Sequence, residues 1–306
     1  MEKSLKLSVL LVTYNHEKYI KEAIESVLMQ KLDYDYEIVI ADDCSTDSTL
    51  EIINKYKELY PEKINILKDE KNLGITQNYK RGFEACKGEY IAILEGDDYW
   101  TSKLKLKKHI DFLDEHGECA LSFNRFVVFD IIDKRQNVQP WPLNNAFQLI
   151  TVTDLVKDNF IGNFSTCVYR ANLLKMIDKS VYDLVVYDWM INILVAQNGL
   201  IGYLGEVMSV YRLHPNGVWT RKSELDKLQS TIKSIDEYDN YLQLRYTDEF
   251  CEHKNRILNR VNKLINPDGT CKKASRKEKI KKYIPPILIY LIKIIMPPKI
   301  IEMLKK

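Results

Sequence analysis

The stretch of sequence that decides the fold reads Tyr90-Ile91-Ala92-Ile93-Leu94-Glu95-Gly96-Asp97-Asp98-Tyr99-Trp100. Its apolar run ends in two adjacent carboxylates, a pattern typical of a buried strand that carries acids at its carboxyl end. Open α/β sheets bind their ligands outside that end of the strands. Neighbouring carboxylates repel each other unless solvent or a cation relieves them. We therefore expect a buried strand and, at its end, a site for a hard divalent cation bound to a nucleotide diphosphate.

Strand and helix patterns alternate along the residues before this stretch. Strands are predicted at 7–12, 36–41, 64–67 and 90–94, with helices at 17–30, after Asp47 and at 76–86. Strands separated by helices of this length indicate βαβ units, so we predict an α/β fold with a mainly parallel sheet flanked by helices.

The pattern changes along the rest of the chain. We predict a helix capped by Thr101 that reaches His116, strands at 119–130, 166–169 and 201–212, a loop at 133–145, and helices from Thr153 and at 188–196. Only helices are predicted from residue 222 onward. We therefore expect an α/β domain over residues 1–220 and a helical C-terminal extension over residues 221–306.

Composition and charge narrow the class of protein. Of the 306 residues, 45% are hydrophobic and 29% are charged, which is ordinary for a globular protein with a sizeable core. The formal net charge of +2 creates no strong field, and we expect no nucleic-acid partner. The six cysteines form no Cys-x-x-Cys motif, which favours reduced thiols and a cytoplasmic location. We see neither a signal-peptide pattern nor an apolar run long enough to span a bilayer.

Two further polar segments follow predicted strands. After the second strand, Asp42-Asp43 can accept hydrogen bonds from a pyrimidine N3–H or a ribose hydroxyl, although Ser45 and Asp47 also suit helix capping. After the first strand, Thr13-Tyr14-Asn15 sits where a crevice rim is expected, although taken alone the segment favours a turn with Asn15 as a helix N-cap. Two acid pairs at strand ends within one short α/β unit favour a binding site over chance.

These motifs resemble those of the family 2 glycosyltransferases, which are inverting enzymes of the GT-A fold. The matching segments cover roughly residues 7–220 and are Val12-Thr13-Tyr14-Asn15, Asp42-Asp43-x-Ser45-x-Asp47, Asn72-x-Gly74, and Lys87-Gly88-Glu89-Tyr90-Ile91 before Asp97-Asp98. The resemblance implies the following nucleotide-sugar-binding residues: Thr13, Tyr14, Asn15, Asp42, Asp43, Gly74, Asp97 and Arg212.

The resemblance also implies a metal site. Asp97-Asp98 would be the DXD-like element, with Asp98 as the metal ligand and Asp97 nearer the ribose or sugar of the donor. Members of the family typically use Mn²⁺ or Mg²⁺. In the segment from Tyr211 to Asn216, Arg212 would clamp phosphate oxygens, and His214 would ligate the metal or donate to the diphosphate. A structural role beside Pro215 is the alternative for His214.

The catalytic base of the family usually lies in a Glu-Asp pair at the start of a later helix. The matching segment is Val186-Tyr187-Asp188-Trp189-Met190, in which Tyr187 replaces the glutamate and Asp188 is kept. A carboxylate within reach of an acceptor hydroxyl is a competent general base. Asp188 also suits a helix start for electrostatic reasons alone. We favour the catalytic role for Asp188.

Two departures weaken particular expectations about the nucleotide. Cys44 stands where the family often has glycine or asparagine, so that turn must accommodate a side chain. After Gly74 the frequent Arg-Asn pair is missing and the sequence reads Gln77-Asn78-Tyr79-Lys80-Arg81, which puts base contacts from that helix in doubt.

The C-terminal tail combines charge with apolar residues. A basic run from Lys272 to Lys282 precedes an apolar segment from Ile284 to Met296 that contains prolines and Lys293. This composition suits an anionic membrane surface at 272–306, which would place the protein at the inner face of the plasma membrane. Packing on the catalytic domain or a homodimer contact are the alternatives.

The sequence thus predicts an inverting, metal-dependent glycosyltransferase. It would move a sugar from a nucleotide-diphosphate donor, with a UDP-sugar favoured, to a saccharide or lipid-linked saccharide acceptor in cell-surface polysaccharide synthesis. A sugar nucleotidyltransferase is one alternative, but residues 13–18 lack the glycine-rich loop expected for a triphosphate. A non-catalytic carbohydrate-binding protein with a decayed site is the other, and Asp98 and Asp188 argue against decay.

Overall fold

The structure is a computed structural model that describes residues 5–138, 147–217, 219–220 and 222–266. Its strands are β1 (Leu7–Thr13), β2 (Tyr36–Asp42), β3 (Ile64–Leu67), β4 (Tyr90–Glu95), β5 (Tyr99–Trp100), β6 (Cys119–Asp130), β7 (Arg135–Val138), β8 (Phe147–Ile150), β9 (Cys167–Arg170) and β10 (Leu200–Leu213). Its α-helices are α1 (Ile20–Leu28), α2 (Thr49–Leu59), α3 (Ile75–Ala85), α4 (Lys105–Glu115), α5 (Val152–Lys157), α6 (Ala171–Lys175), α7 (Asp188–Ala196), α8 (Glu224–Tyr241) and α9 (Thr247–Ile265).

These strands form one mixed sheet whose main path runs β3-β2-β1-β4-β9-β6-β10-β5. The first four strands in this path pair in parallel, and so do β6 and β10. Strand β9 lies between β4 and β6 and is antiparallel to both. The predicted α/β fold is confirmed, with antiparallel strands in its second half.

Helices cover both faces of the parallel half because β1 is apolar on both sides. Alternate residues of β1, including Val9 and Leu11, share one hydrophobic cluster with Ile24 of α1 and Ile110 of α4. On the opposite face, Leu10 lies against α3, where a side chain at Gly82 would sit 2.6 Å from a methyl carbon of Leu10. A strand buried in this way reads as a continuous apolar run.

The parallel register brings the predicted polar residues to one edge of the sheet. Thr13 at the end of β1 is opposite Asp42 at the end of β2, and Val12 is opposite Glu95 at the end of β4. The segments that carry Asp43 and Asp97 therefore begin side by side at this carboxyl edge, where α/β sheets bind their ligands.

Some local predictions were wrong. Thr101 does not cap the next helix, because β5 precedes it and the N–H of Thr101 donates to the carbonyl of Met208 at 3.0 Å, so α4 begins at Lys105. Part of the loop predicted at 133–145 is β7, which pairs with the end of β6. Because the four residues of β7 are polar and exposed, they give no strand pattern. The helix predicted to start at Thr153 is α5, which begins at Val152 and is capped by Thr151.

After residue 220, the described residues form the helices α8 and α9 and the short segments beside them. The chain divides into two compact units after Ile257, and α8 belongs to the first of them. The domain boundary at residue 220 stays a prediction. The basic and apolar tail at 272–306 lies outside the described residues. Within residues 5–266, apart from the gaps given above, no helix combines the length and the hydropathy needed to cross a bilayer.

Candidate active site

A cleft lies at the carboxyl edge of the sheet. Its lining combines acids with aromatic side chains and comprises Ile75, Tyr79, Glu95, Asp97, Gly162, Asn163, Phe164, Tyr187, Asp188, Tyr211, Arg212, Gly217 and Trp219. Of the residues that the sequence singles out, Asp97, Asp188 and Arg212 lie in this lining. The others lie beside it or under it, and their contacts distinguish what each can do.

The ends of β1 and β2 are tied to each other by hydrogen bonds. Asn15, in the left-handed region at φ 57°, accepts from the N–H of Thr46 at 2.7 Å, and its own N–H donates to Ser45 Oγ at 2.9 Å. The buried carboxylate of Asp42 accepts from both the N–H and the hydroxyl of Ser45. By contrast, the ring of Tyr14 is 43% exposed and free to meet a ligand.

Asp43 fastens the loop that precedes α3. Its two carboxylate oxygens accept from the N–H groups of Leu73 and Gly74 at 2.7 and 3.0 Å. Gly74 has a φ of 83°, which is strained for any residue with a side chain. The motif residues Asp43 and Gly74 therefore lie together, and their hydrogen bonds hold the loop before α3 in place.

Asp97 lies among two imidazoles. Its Oδ2 is 3.0 Å from Nε2 of His214 and 3.7 Å from Nε2 of His16. Burial opposes ionisation of Asp97, but the two imidazoles outweigh it and hold the pKa of this carboxyl below its ordinary value. One ligand atom from each of these three residues lies within 4.8 Å of the other two, a set of donors that could hold a metal ion.

Asp98, although adjacent, is in a different environment. It is fully buried, and its carboxylate accepts from the side chains of Asn163 and Ser165 and from the N–H of Arg212. Burial and the charge of Asp97 raise its pKa to about 7. The sequence-based assignment makes Asp98 the metal ligand and puts Asp97 nearer the sugar. The geometry favours Asp97 over Asp98 as the metal ligand, because Asp97 faces the imidazoles and Asp98 is enclosed by hydrogen-bond donors.

Asp188 is the first residue of α7, as the sequence predicts. Its Oδ2 is shielded from solvent and has no hydrogen-bond partner among the described residues. Burial raises the pKa of Asp188 to about 6, although hydrogen bonds from the backbone of Trp189 and the side chain of Asn159 partly offset this. A buried polar atom without a partner is rare in folded proteins and calls for an explanation.

Arg212 is largely enclosed by protein groups. Its guanidinium donates to the carbonyl oxygen of Asp97 at 2.7 Å and to the carboxylate of Glu22. The same group lies 4.4 Å from the ring centre of Tyr99 and 5.3 Å from that of Tyr19. The sequence predicts that Arg212 clamps phosphate oxygens. The geometry instead favours a positioning role, in which Arg212 holds Asp97 and Asp98 in place.

Among the site residues that sequence reasoning missed are Glu95 and His16. Glu95 lines the cleft, accepts a hydrogen bond from the Tyr79 hydroxyl at 2.9 Å, and has a pKa raised well above its usual range by burial and by Asp97. His16 lies beside Asp97. Both signals are in the printed sequence, since Glu95 belongs to the stretch that ends β4 and His16 directly follows the Thr13-Tyr14-Asn15 motif.

Comparison with known proteins identifies the family of this chain. The sequence pattern of the family described as "Glycosyl transferase family 2" matches residues 8–177, which is more than half of the chain. The chain therefore belongs to glycosyl transferase family 2.

Particular relatives can be compared along part of the chain. An uncharacterised protein of Mycobacterium tuberculosis is 35% identical over 213 residues, which are 70% of this chain and 60% of that protein. The poly(ribitol-phosphate) β-N-acetylglucosaminyltransferase TarS of Staphylococcus aureus is 31% identical over 180 residues, which are 58% of this chain and 29% of TarS. The match thus spans 60% or less of these relatives' own lengths.

Solved structures show the same fold. The crystal structure of S. aureus TarS 1–349 in complex with UDP-GlcNAc has a TM-score of 0.62 at 23% identity, covering 90% of this chain and 78% of that one. A mannosyltransferase of Pyrobaculum calidifontis in complex with GDP-Man and Mn²⁺ has a TM-score of 0.54 at 14% identity, covering 84% and 75%. At these identities the likeness concerns the fold alone.

Proposed function

We propose that this chain is an inverting glycosyltransferase that moves a sugar from a nucleotide-diphosphate donor to an acceptor hydroxyl in the synthesis of a cell-surface polysaccharide. The observation that carries this proposal is the partnerless Oδ2 of Asp188 in the lining of the cleft that also contains Asp97. Membership of the family supports the reaction class, and the UDP-GlcNAc bound to TarS supports a UDP-sugar as donor.

Asp188 is the general base of the proposed reaction. With a pKa of about 6 it is mostly ionised at neutral pH, and it is a stronger base than an ordinary aspartate. It would accept the proton of the acceptor hydroxyl while the oxygen attacks the anomeric carbon and the bond from that carbon to the diphosphate breaks. A single displacement of this kind inverts the anomeric centre and needs no nucleophile from the protein.

Asp97 of the cleft lining and its neighbour His214 fit a divalent cation. The Oδ2 of Asp97 and the Nε2 of His214 are 3.0 Å apart, close to the separation of two ligands that share one ion with bonds of about 2.1 Å. Asp97 and His214 would hold Mn²⁺ or Mg²⁺, and the bound ion supplies positive charge for the departing diphosphate. An imidazole ligand favours Mn²⁺ over Mg²⁺, which prefers oxygen ligands in an octahedron.

The ends of β1 and β2 would form the nucleotide side. Asp42, Asp43, Asn15 and Gly74 hold the two loops in place through the hydrogen bonds described above. The exposed ring of Tyr14 is available to contact the base or the ribose. We propose that these residues preorganise the nucleotide site by fixing its loops.

A saccharide acceptor suits the aromatic part of the cleft. The rings of Tyr187 and Trp219 lie 6.2 Å apart, in the lining that also contains Asp188. Sugar rings present faces of C–H groups that pack well on aromatic rings, while their hydroxyls hydrogen-bond at the edge. Together with the basic and apolar composition of residues 272–306, this supports a lipid-linked saccharide as acceptor at the cytoplasmic face of the membrane.

A thermal-shift panel tests the proposal. UDP, GDP, dTDP and CMP are each added with and without Mn²⁺ to the wild type and to Asp97→Asn. A ligand that binds only the folded state raises the melting temperature by mass action. We expect UDP with Mn²⁺ to stabilise the wild type and the variant to lose the metal-dependent part. If no nucleotide shifts the transition in the presence of metal, the glycosyltransferase proposal is contradicted.

A further inference from the structure

The position of His16 is fixed more firmly than that of an ordinary loop residue. Its ring Nδ1 is 3.1 Å from the hydroxyl of Thr13, and its backbone N–H donates to the hydroxyl of Thr49 at 2.8 Å. With the proton on Nδ1 and donated to Thr13, the lone pair of Nε2 points to the side of Asp97. Thr13 therefore fixes the orientation of this imidazole, with Nε2 on the side of Asp97.

Gly96 leaves room for the contact between Thr13 and His16. A Cβ atom at this position would lie 2.6 Å from Oγ1 of Thr13 and 2.9 Å from Nδ1 of His16, closer than atoms can approach. The turn that carries Asp97 can thus close onto the Thr13–His16 pair only because residue 96 has no side chain. The segment from Tyr90 to Trp100 can therefore pack against His16 because Gly96 has no side chain.

Direct pairing with Asp97 does not explain this orientation. The distance of 3.7 Å from His16 Nε2 to Asp97 Oδ2 is too long for a hydrogen bond. It is an ordinary distance between two ligands of one metal ion, since bonds of about 2.1 Å allow separations up to about 4.2 Å. The three ligand atoms of His16, Asp97 and His214 lie within 4.8 Å of one another, so a small closure would bring all of them onto a common ion.

We propose that His16 is a third protein ligand of the cation site, which thereby consists of two imidazoles and one carboxylate and selects Mn²⁺ over Mg²⁺. This inference rests on the proposed function, in which Asp97 and His214 hold the ion. Imidazole suits transition-metal ions, whereas Mg²⁺ keeps oxygen ligands and several waters. A second imidazole therefore strengthens the preference for Mn²⁺. Thr13 acts as a positioning residue, because the hydrogen bond to Nδ1 orients the ligand.

Electron paramagnetic resonance of Mn²⁺ measures this directly. Free Mn²⁺ is titrated into the full chain in the presence of UDP, for the wild type, His16→Ala, Thr13→Val and the control His116→Ala, whose imidazole contacts Glu118 away from the cleft. Loss of a ligand or of the group that orients it weakens metal binding by about 10–100-fold. We expect His16→Ala to weaken Mn²⁺ binding by at least about tenfold, to weaken Mg²⁺ binding less, and to exceed Thr13→Val in effect. The control should bind Mn²⁺ like the wild type.

A second readout gives its decisive result on the wild type, which does not depend on the folding of a variant. Pulsed measurements of the ¹⁴N couplings of bound Mn²⁺ count the imidazoles on the ion. We expect two in the wild type and one in His16→Ala. One coupling in the wild type, or an unchanged Mn²⁺ affinity in a folded His16→Ala, would overturn the inference while the proposed function stands. If the wild type binds no Mn²⁺ even with UDP, the metal-dependent function fails together with the inference.

Discussion

Two regions at the carboxyl edge of the sheet both carry aspartates, but the hydrogen bonding of these carboxylates differs between the regions. At the ends of β1 and β2, the carboxylates of Asp42 and Asp43 accept hydrogen bonds from neighbouring loops. At the end of β4 and the start of α7, Asp188 keeps an oxygen without a partner, and Asp97 faces two imidazoles. The first region forms a frame of hydrogen-bonded loops, and the second keeps carboxylate oxygens available for the proposed substrate and cation.

The acid pair Asp97-Asp98 repeats this contrast within two residues. Asp98 is enclosed by three donors, whereas Asp97 lies in the lining of the cleft. Hydrogen-bond saturation therefore separates structural carboxylates from those available for chemistry, and sequence position does not. Each of the following changes tests that distinction, from the largest expected effect to the smallest.

Asp188→Asn removes the proposed base and keeps the shape of the side chain. General-base catalysis typically contributes about 10²–10⁴-fold, so we expect the transfer rate to fall by about 10³-fold. The melting temperature should not fall, because a desolvated charge is removed. Product formation from a UDP-sugar and calorimetry measure the two effects. Asp183→Asn, at a nearby exposed residue, is the control and should change neither.

Asp97→Asn and Asp98→Asn separate the two members of the acid pair. Removal of a metal ligand should weaken Mn²⁺ binding by about 100-fold or more in Asp97→Asn, since loss of outer-shell partners alone causes losses of about 10–100-fold. In Asp98→Asn the amide cannot accept from three donors, so the main effect should be a lower melting temperature. Isothermal titration with Mn²⁺ and UDP decides between them. Equal losses of metal affinity would break the distinction.

Asp43→Ala tests the frame. It leaves the N–H groups of Leu73 and Gly74 without their carboxylate acceptor, which should lower the free energy of unfolding by about 2 kcal/mol, measured in urea. Asp33→Ala removes an exposed acid whose contact with Lys107 is 3.8 Å, and it should change stability by less than about 0.5 kcal/mol. A stability of Asp43→Ala equal to that of the control would show that the frame is not held by this carboxylate.

The pH profile reports the raised pKa of Asp188. A base with a pKa of about 6 must be ionised to act, so kcat/KM should fall about tenfold per pH unit below pH 6. Its effect on stability has the opposite sign. Because the folded-state pKa is above the usual 3.8, the stabilising contribution is fully present below pH 3.8 and is lost as the pH rises through 6. Asp188→Asn should remove that loss, and an unchanged pH dependence of unfolding in this variant would contradict the assignment.

Trp219→Ala has the smallest expected effect. Loss of one aromatic face from the acceptor side should raise the KM for the acceptor several-fold, since aromatic contacts of this kind contribute about 1 kcal/mol. The KM for the donor should be unchanged in the same steady-state assay. If the donor KM rises instead, the aromatic part of the cleft belongs to the nucleotide side.

Much of this molecule is predictable from its sequence because burial leaves a periodic trace. The apolar runs of β1, β2 and β4 and the amphipathic helices between them fix the parallel half of the sheet. Strand β7 is missed because its polar, exposed residues lack alternation, and its pairing with β6 is a tertiary effect. Antiparallel β9 leaves only a short apolar segment, from which the direction of a strand cannot be read.

The location of the candidate site can be predicted from the sequence, whereas the roles of its individual residues are harder to predict. The motifs place Asp97, Asp188 and His214 near one another, but no sequence pattern states how many donors surround a carboxylate. The proposal of Asp97 over Asp98 as the metal ligand depends on Asn163 and Ser165, which are more than sixty residues away from Asp98 in the chain. His16 directly follows the Thr13-Tyr14-Asn15 motif, but its place beside Asp97 depends on the turn at Gly96, which closes against Thr13.

A crystal structure of the full chain with UDP and Mn²⁺ tests the central claim most directly. The account predicts that the ion lies within about 2.3 Å of a carboxylate oxygen of Asp97 and of the Nε2 of His214. It also predicts that Asp98 keeps its hydrogen bonds to Asn163, Ser165 and Arg212. An ion bound to the carboxylate of Asp98, with Asp97 away from the metal, would contradict it.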